Sequence, residues 1–132
     1  MFVPQRFTPY IREMETLLEK VGDVQVLHLR GRLDLATSPD FATLLQGLIG
    51  GGETKIVMDC RDLKYVSSSG LGTFIAAGKS LSGNGKLVFA GLSAHLQSLF
   101  DMTGIANLFE ICGTKDDAVL KLGGDPARPS IT

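Results

Sequence analysis

The sequence predicts an α/β protein with a mixed sheet of about five strands and about four helices. Short runs rich in β-formers alternate with segments whose apolar residues repeat at helical spacing. The pair Gly22-Asp23 is typical of a two-residue hairpin turn, which adds an antiparallel pair to otherwise parallel crossovers. With 132 residues and 44% hydrophobic content, the chain suffices for one core and leaves no room for a second.

The first two elements are predicted to form a hairpin. Val24 to Leu29 is rich in β-formers and directly follows the turn. The segment before it, residues 10–21, also fits a helix, because its apolar residues would lie on one face of that helix. They are Ile11, Met14, Leu17, Leu18 and Val21. We favour a strand, since a two-residue turn joins antiparallel strands and gives no room for a helix to turn back.

The remaining elements are each bounded by a cap or a turn. The first is a helix capped by Thr37 or Ser38, with Pro39 at its first position and Gly50 to Gly52 at its end. A strand Lys55 to Cys60, a serine-capped helix ending at the turn 82–85, and a strand Lys86 to Ala90 follow. The last elements are a helix from Ser93 to near Gly104, a strand Leu108 to Cys112, and a helix capped by Thr114 with Asp117. Residues 1–13 are expected to be an N-terminal extension, 14–122 the domain, and 123–132 a disordered tail.

Composition and charge exclude several function classes. The 13 Lys and Arg against 14 Asp and Glu give a net charge of −1, scattered along the chain, which does not favour a nucleic acid partner. No apolar run is long enough for a membrane span, and no secretory signal pattern begins the sequence, so we expect a cytoplasmic protein. Cys60 and Cys112 lack metal or redox spacing and are expected to be reduced and structural. We predict no metal site and no cofactor.

The stretch from Tyr65 to Gly72 contains three consecutive serines at a predicted strand-to-helix loop. At a helix start, free N–H groups and the helix dipole favour an anion such as a phosphate. Gly70 and Gly72 carry no Cβ and are expected to let another molecule come close. The simpler interpretation is that the serines only cap the helix, because serine is among the commonest N-caps.

Three stretches together resemble the STAS domain family, in its anti-sigma factor antagonist branch. They are Gly31 to Asp34, Tyr65 to Gly72 and Leu99 to Ile105, in family order and at family spacing. The resemblance covers residues 14–122. It implies a single STAS-like α/β domain, with a strand at residues 15–21.

The resemblance also implies a switch. In anti-sigma factor antagonists, the serine before the final Ser/Thr-Gly of the motif is phosphorylated by the anti-sigma factor, a serine kinase of the histidine-kinase-like ATPase type, and a serine phosphatase reverses this. By position that serine is Ser68. Many members carry Asp at the position of Ser67, so the serine here is a rival acceptor.

The partner surface expected from the resemblance surrounds these serines. We assign to it Asp34, Ser67, Ser69, Gly70, Leu71, Gly72 and Met102. Asp34 and Asp59 are both expected at strand ends near the serine loop, although each could instead be a turn or cap carboxylate. Phe100 and Met102 could both be core residues, with Met102 the better candidate for an exposed apolar contact.

Catalytic interpretations fit the motifs poorly, so we predict no catalytic residue. A nucleophile elbow needs Gly-x-Ser-x-Gly with a base, and a P-loop needs a Gly-Lys-Ser/Thr end, neither of which is present. Three functions remain open. The first is the partner-switching antagonist, the second is a STAS accessory subunit of a lipid transporter or of a stressosome-like assembly, and the third is a small-molecule or nucleotide sensor with weak nucleotide binding.

Overall fold

The computed structural model describes residues 14–81, 83 and 85–127. These residues form the predicted five strands and four α-helices, with one additional 3-10 helix. In chain order they are β1 (Met14–Val21), β2 (Val24–Leu33), α1 (Ser38–Gly50), β3 (Lys55–Val66), α2 (Ser68–Leu81), β4 (Lys86–Ala90), α3 (Ala94–Thr103), the 3-10 helix (Ile105–Asn107), β5 (Glu110–Cys112) and α4 (Lys115–Lys121). The predicted extension 1–13 and residues 128–132 of the predicted tail lie outside the described residues. Within the described part, no helix is both long and apolar enough to cross a membrane.

The strand order is β1-β2-β3-β4-β5, with β1 antiparallel to β2 and the other neighbours parallel. The first pair is the predicted hairpin, in which Val21 lies opposite Val24. Gly22 has a φ of +62°, a backbone conformation that favours glycine at such a turn. The apolar residues that would share one face of a helix therefore do not share one face of β1, because successive strand residues point to opposite faces of the sheet.

Helices cover both faces of the sheet. On one face, α1, α2 and α3 bury a core that includes Phe74, Phe89 and Phe100, all fully buried. The ring centroid of Phe89 lies 4.8 Å from that of Phe74 and 5.1 Å from that of Phe100, both edge-on. On the other face, α4 covers a smaller apolar cluster through Ala118 and Val119. Among the described residues it is the one helix on that face.

Several element boundaries differ from those predicted, and β2 continues past Leu29 to Leu33. Strand β3 continues past Cys60 to Val66, because residues 62–66 keep pairing with β2 across two irregularities of register. The charged residues in this stretch interrupt the apolar run, so the sequence pattern ends too early. Strand β5 begins only at Glu110, after the 3-10 helix. Pro39 is the second rather than the first residue of α1.

The cap of α4 agrees with the prediction, and the helix predicted to start at Ser93 begins one residue later, with Ser93 as its N-cap. Ser93 Oγ accepts a hydrogen bond from Leu96 N at 3.1 Å, and Thr114 Oγ1 accepts one from Asp117 N at 3.1 Å. The first two residues of the predicted tail contact α4. Gly124 N donates to Val119 O at 2.9 Å, and a Cβ at this glycine would lie 2.7 Å from Val119 Cγ1. Residues 123 and 124 therefore pack against the carboxyl end of α4 without being part of the helix.

Candidate functional site

The serine segment joins β3 directly to α2, with Ser67 as the single residue between them. Ser67 N donates to Leu33 O at the end of β2 (2.8 Å), which anchors the segment to the sheet. Ser67 Oγ accepts a hydrogen bond from Gly70 N at 3.2 Å. This is the geometry of a helix N-cap, so the structural role considered for the serines belongs to Ser67.

A chain of hydroxyl contacts links the serine segment to the start of α1. Ser67 Oγ and Ser69 Oγ are 2.7 Å apart, and Ser69 Oγ lies 3.4 Å from Ser38 Oγ. Ser38 Oγ in turn donates to Asp34 O at 2.6 Å. Both Ser67 and Ser69 are half-buried. Their hydroxyls are thus committed to holding two helix starts side by side.

Ser68 differs from its two neighbours. It is the first residue of α2, and it is exposed. Within the part of the chain that the structure describes, its hydroxyl makes no hydrogen bond. Of the three serines, Ser68 therefore presents the hydroxyl that a second molecule can reach without breaking an internal contact.

Asp34 organises the turn between β2 and α1. Its Oδ1 accepts from Ala36 N at 3.0 Å and from Thr37 N at 3.1 Å, while Asp34 N donates to Thr37 Oγ1 at 2.9 Å. Thr37 precedes α1 but makes no side-chain cap. The turn carries Leu35, whose side chain is 78% exposed. Sequence reasoning missed Leu35, although an apolar residue inside a polar turn was the signal that pointed to it.

The two glycines of the motif have different roles. Gly72 is exposed, and a Cβ there would meet nothing within 4 Å, so the space beside it is open. Gly70 is buried, and a Cβ there would lie 2.9 Å from Leu33 Cγ, Leu33 O and Val66 Cγ1. Its missing side chain makes room for the domain's own strands, which corrects the expectation that it admits another molecule. Leu71 is only 7% exposed and packs into the core, so its position does not support a partner contact.

The sequence of this domain is similar to those of known proteins. A family profile described as "Mlab, STAS domain" matches residues 16–111. The chain belongs to the STAS domain family. An anti-sigma-B factor antagonist of Staphylococcus aureus is 32% identical over 97 residues, which cover 73% of this chain and 87% of that protein.

Two solved structures share the STAS fold with this domain. An anti-sigma factor antagonist from Mycobacterium paratuberculosis has a TM-score of 0.78 at 21% identity, covering 83% of this chain and 93% of that one. The phosphorylated form of the Bacillus cell fate determinant SpoIIAA has a TM-score of 0.66 at 22% identity, covering 81% and 98% respectively. The mixed five-stranded sheet with four helices agrees with the predicted STAS fold.

Two residues assigned from the sequence lie apart from the serine loop of this STAS domain. Asp59 does not end a strand but lies within β3, where it pairs in register with Ala90 and contacts His28, so the prediction of a neighbouring position is wrong. Met102 is 84% exposed near the carboxyl end of α3. Crossover helices run antiparallel to the strands that they connect. Met102, near the carboxyl end of α3, therefore lies towards the amino ends of the strands, whereas the amino end of α2 lies at the carboxyl end of β3. Phe100, in contrast, is a fully buried core residue.

Proposed function

We propose that this STAS domain is an anti-sigma factor antagonist in a partner-switching pathway. In its unphosphorylated form it binds an anti-sigma factor, which is a serine kinase of the histidine-kinase-like ATPase type. Phosphorylation of Ser68 releases that partner, and a serine phosphatase restores binding. The pathway is cytoplasmic. The observation that carries the proposal is the exposed Ser68 hydroxyl, which makes no hydrogen bond within the described residues.

The known relatives support this role. Anti-sigma factor antagonists recur among both the sequence relatives and the similar folds. SpoIIAA has been solved in unphosphorylated and phosphorylated forms, so a domain of this fold tolerates a phosphate. These likenesses favour a regulated binding protein over an enzyme.

The hydrogen bonds favour Ser68 over Ser67 as the acceptor. A kinase must bring the hydroxyl oxygen in line with the transferred phosphoryl group. Ser67 Oγ already accepts from Gly70 N and contacts Ser69 Oγ, so its use would break the cap of α2. Removing such a cap costs about 0.5–2 kcal/mol of stability. Ser68 can be phosphorylated without that cost.

The energetics of a phosphate at Ser68 suit a switch that acts on binding. The group adds about −1.5 to −2 charges at neutral pH. In the first turn of the 14-residue helix α2, the dipole stabilises a negative charge by about 0.3–1 kcal/mol. In a desolvated interface, an unpaired charge costs about 2–5 kcal/mol. Phosphorylation is therefore expected to weaken partner binding while leaving the fold intact.

The partner surface that we propose is centred on Ser68 and Gly72 and includes the turn at Asp34 and Leu35. The two parts are neighbours, because Ser67 N bonds to Leu33 O and the serine hydroxyls reach Ser38. Leu35, two residues beyond Leu33, supplies an exposed apolar side chain in the neighbouring turn. An apolar contact next to a phosphorylation site makes binding sensitive to added charge.

We expect no catalytic activity from the domain itself. The chain has two histidines, and within the described part of the structure neither forms a hydrogen bond with the serines. His28 lies on β2 between two carboxylates, and His95 is exposed in the first turn of α3. Without a base beside a serine, the hydroxyls are substrates rather than nucleophiles. The purified protein should neither hydrolyse ATP nor phosphorylate itself.

The acceptor is tested by phosphorylation with the partner kinase. The kinase is first captured with the unmodified protein from extract of the source cells and identified by mass spectrometry. Incubation with this kinase and ATP should add one phosphate to the native protein and to Ser67→Ala, and none to Ser68→Ala. A phosphopeptide placing the group on Ser67 or Ser69 would contradict the assignment. Capture of transporter subunits without a kinase would favour the accessory-subunit function instead.

The switch is tested by adding charge without phosphate. Ser68→Asp should weaken kinase binding by about a hundredfold or more, measured by calorimetry, because about 2.8 kcal/mol of interface energy is lost. Ser98→Asp is the matched control, since Ser98 is also exposed but lies on α3. Equal affinity of Ser68→Asp and the parent protein would count against the switch. Loss of binding together with loss of folding would show that Ser68 is a structural residue.

A further inference from the structure

A crevice opens where the chain leaves two neighbouring strands towards opposite faces of the sheet. After β4 the chain enters α3, which packs on the face of the larger core. After the adjacent strand β5 it enters α4, which packs on the other face. In open α/β sheets, ligands commonly bind in a crevice outside the carboxyl ends of the strands. The serine loop is a different place in the fold, since it follows the carboxyl end of β3 at Val66.

A cavity of about 480 Å³ occupies this crevice. Gly91 and Leu92 line it from the end of β4, and Gly113 and Thr114 line it from the end of β5. Ligand pockets in proteins have volumes of about 300–1,000 Å³. The cavity is therefore large enough for a small metabolite.

Two cationic side chains, Arg61 and Lys115, line the cavity together with the carboxylates of Asp59 and Asp116. Arg61 is exposed, and its guanidinium makes no ion pair within the described residues. Lys115 Nζ lies 3.8 Å from Glu19 Oε1 and 3.5 Å from Asp116 Oδ1, which are long contacts. An anion that reaches both cations would gain charge-assisted hydrogen bonds that these contacts do not supply.

An ordered polar network adjoins these cations in the lining of the cavity. Asp59 is mostly buried, and its Oδ2 lies 2.7 Å from His28 Nδ1. His28 Nε2 lies 2.8 Å from Glu19 Oε1, and Asp59 Oδ1 accepts from Arg61 N at 3.3 Å. These contacts hold the carboxylate and the imidazole in place. The carboxylate can accept a further hydrogen bond from a ligand hydroxyl, since each of its oxygens has two lone pairs.

We infer that this crevice binds a small organic anion. Its phosphate or carboxylate group faces Arg61 and Lys115, and its hydroxyl-bearing body lies against Asp59 and Leu92. Neutral molecules of the same shape should bind more weakly, because they cannot form charge-assisted hydrogen bonds with the two cations. This site is separate from the proposed phosphorylation site and does not depend on it.

The inference is tested by NMR titration of the full-length ¹⁵N-labelled protein with glucose 6-phosphate, citrate and glucose, each up to about 10 mM. Glucose 6-phosphate or citrate should shift the amide signals of Gly91, Gly113 and Thr114 in a saturable way, and the stronger of the two identifies the preferred anion. Glucose should not. Absence of saturable shifts with both anions would overturn the inference.

Two variants and a control make the test specific. Arg61→Gln should weaken anion binding by about tenfold or more. Lys64→Gln, which removes the same charge from another exposed position of β3, should leave the affinity unchanged. Gly113→Leu should abolish binding in a folded protein, because a Cβ at Gly113 meets nothing within 4 Å and the longer side chain enters the cavity. Equal losses for Arg61→Gln and Lys64→Gln would show attraction by net charge alone and overturn the site.

Discussion

Gly70→Ala and Gly72→Ala form a matched pair that tests how the serine loop is held. Both glycines lie in the first two turns of α2, two residues apart. A Cβ at Gly70 would lie 2.9 Å from the backbone oxygen of Leu33 and from two side-chain atoms, whereas one at Gly72 would meet nothing within 4 Å. The same added methyl group should therefore have opposite effects at the two positions.

The magnitudes follow from two opposing contributions. Replacing glycine by alanine inside a helix stabilises the folded state by about 0.5–1 kcal/mol. Overpacking a close contact costs about 1–3 kcal/mol, and at Gly70 one of the atoms belongs to the backbone, which moves less readily than a side chain. We expect Gly70→Ala to lower the free energy of unfolding by about 1–2 kcal/mol. Gly72→Ala should raise it by about 0.5–1 kcal/mol.

Urea and thermal denaturation followed by circular dichroism measure both effects. For a domain of this size, about 1 kcal/mol corresponds to a change in Tm of roughly 4 °C. Gly70→Ala should thus lower the Tm by about 4–8 °C, and Gly72→Ala should raise it by about 2–4 °C. If Gly70→Ala is as stable as the parent protein, or if Gly72→Ala is the less stable variant, the close approach of α2 to Leu33 is not what requires a glycine.

Three further predictions test the cap, the thiols and the core. Ser67→Ala should lower the free energy of unfolding by about 1 kcal/mol through loss of the helix cap, while Ser68→Ala should change it by less than about 0.5 kcal/mol in urea denaturation. Burial raises the pKa of the Cys60 thiol far above its ordinary value, so a disulfide reagent at pH 8 should label only Cys112 in the folded protein and both thiols in urea. Phe74→Ala should cost about 3–5 kcal/mol, because Phe74 is fully buried.

Most of the fold could be predicted because its signals are local. The turn at Gly22, the helix start near Ser93 and the cap at Thr114 each depend on residues within three or four positions, and all three lie within one residue of the predicted place. The strand assignment of residues 15–21 also followed from the two-residue turn, despite the competing helical stripe. The boundary of β3 was wrong because residues 62–66 stay extended through pairing with β2, a contact that spans more than thirty positions of the chain.

The position of the candidate site could be predicted, but the roles within it could not. The motif placed three serines at a helix start, where the structure has them. Which hydroxyl is exposed depends on Ser38 and Leu33, which are distant in sequence and reach the serines only in the folded protein. Likewise, Gly70 and Gly72 look equivalent in the sequence and differ only in what lies opposite them.

The sequence by itself determined the α/β class, the order of the elements and the stretch that marks the STAS family, because periodicity, caps and motifs are properties of neighbouring residues. The tertiary structure alone decided that Ser67 caps, Ser68 is accessible and Gly70 is enclosed, and it placed Asp59 in a crevice away from the serines. The physical reason is that exposure and close approach are set by the packing of one element on another. No local pattern of residues specifies which atoms a distant strand will bring against them.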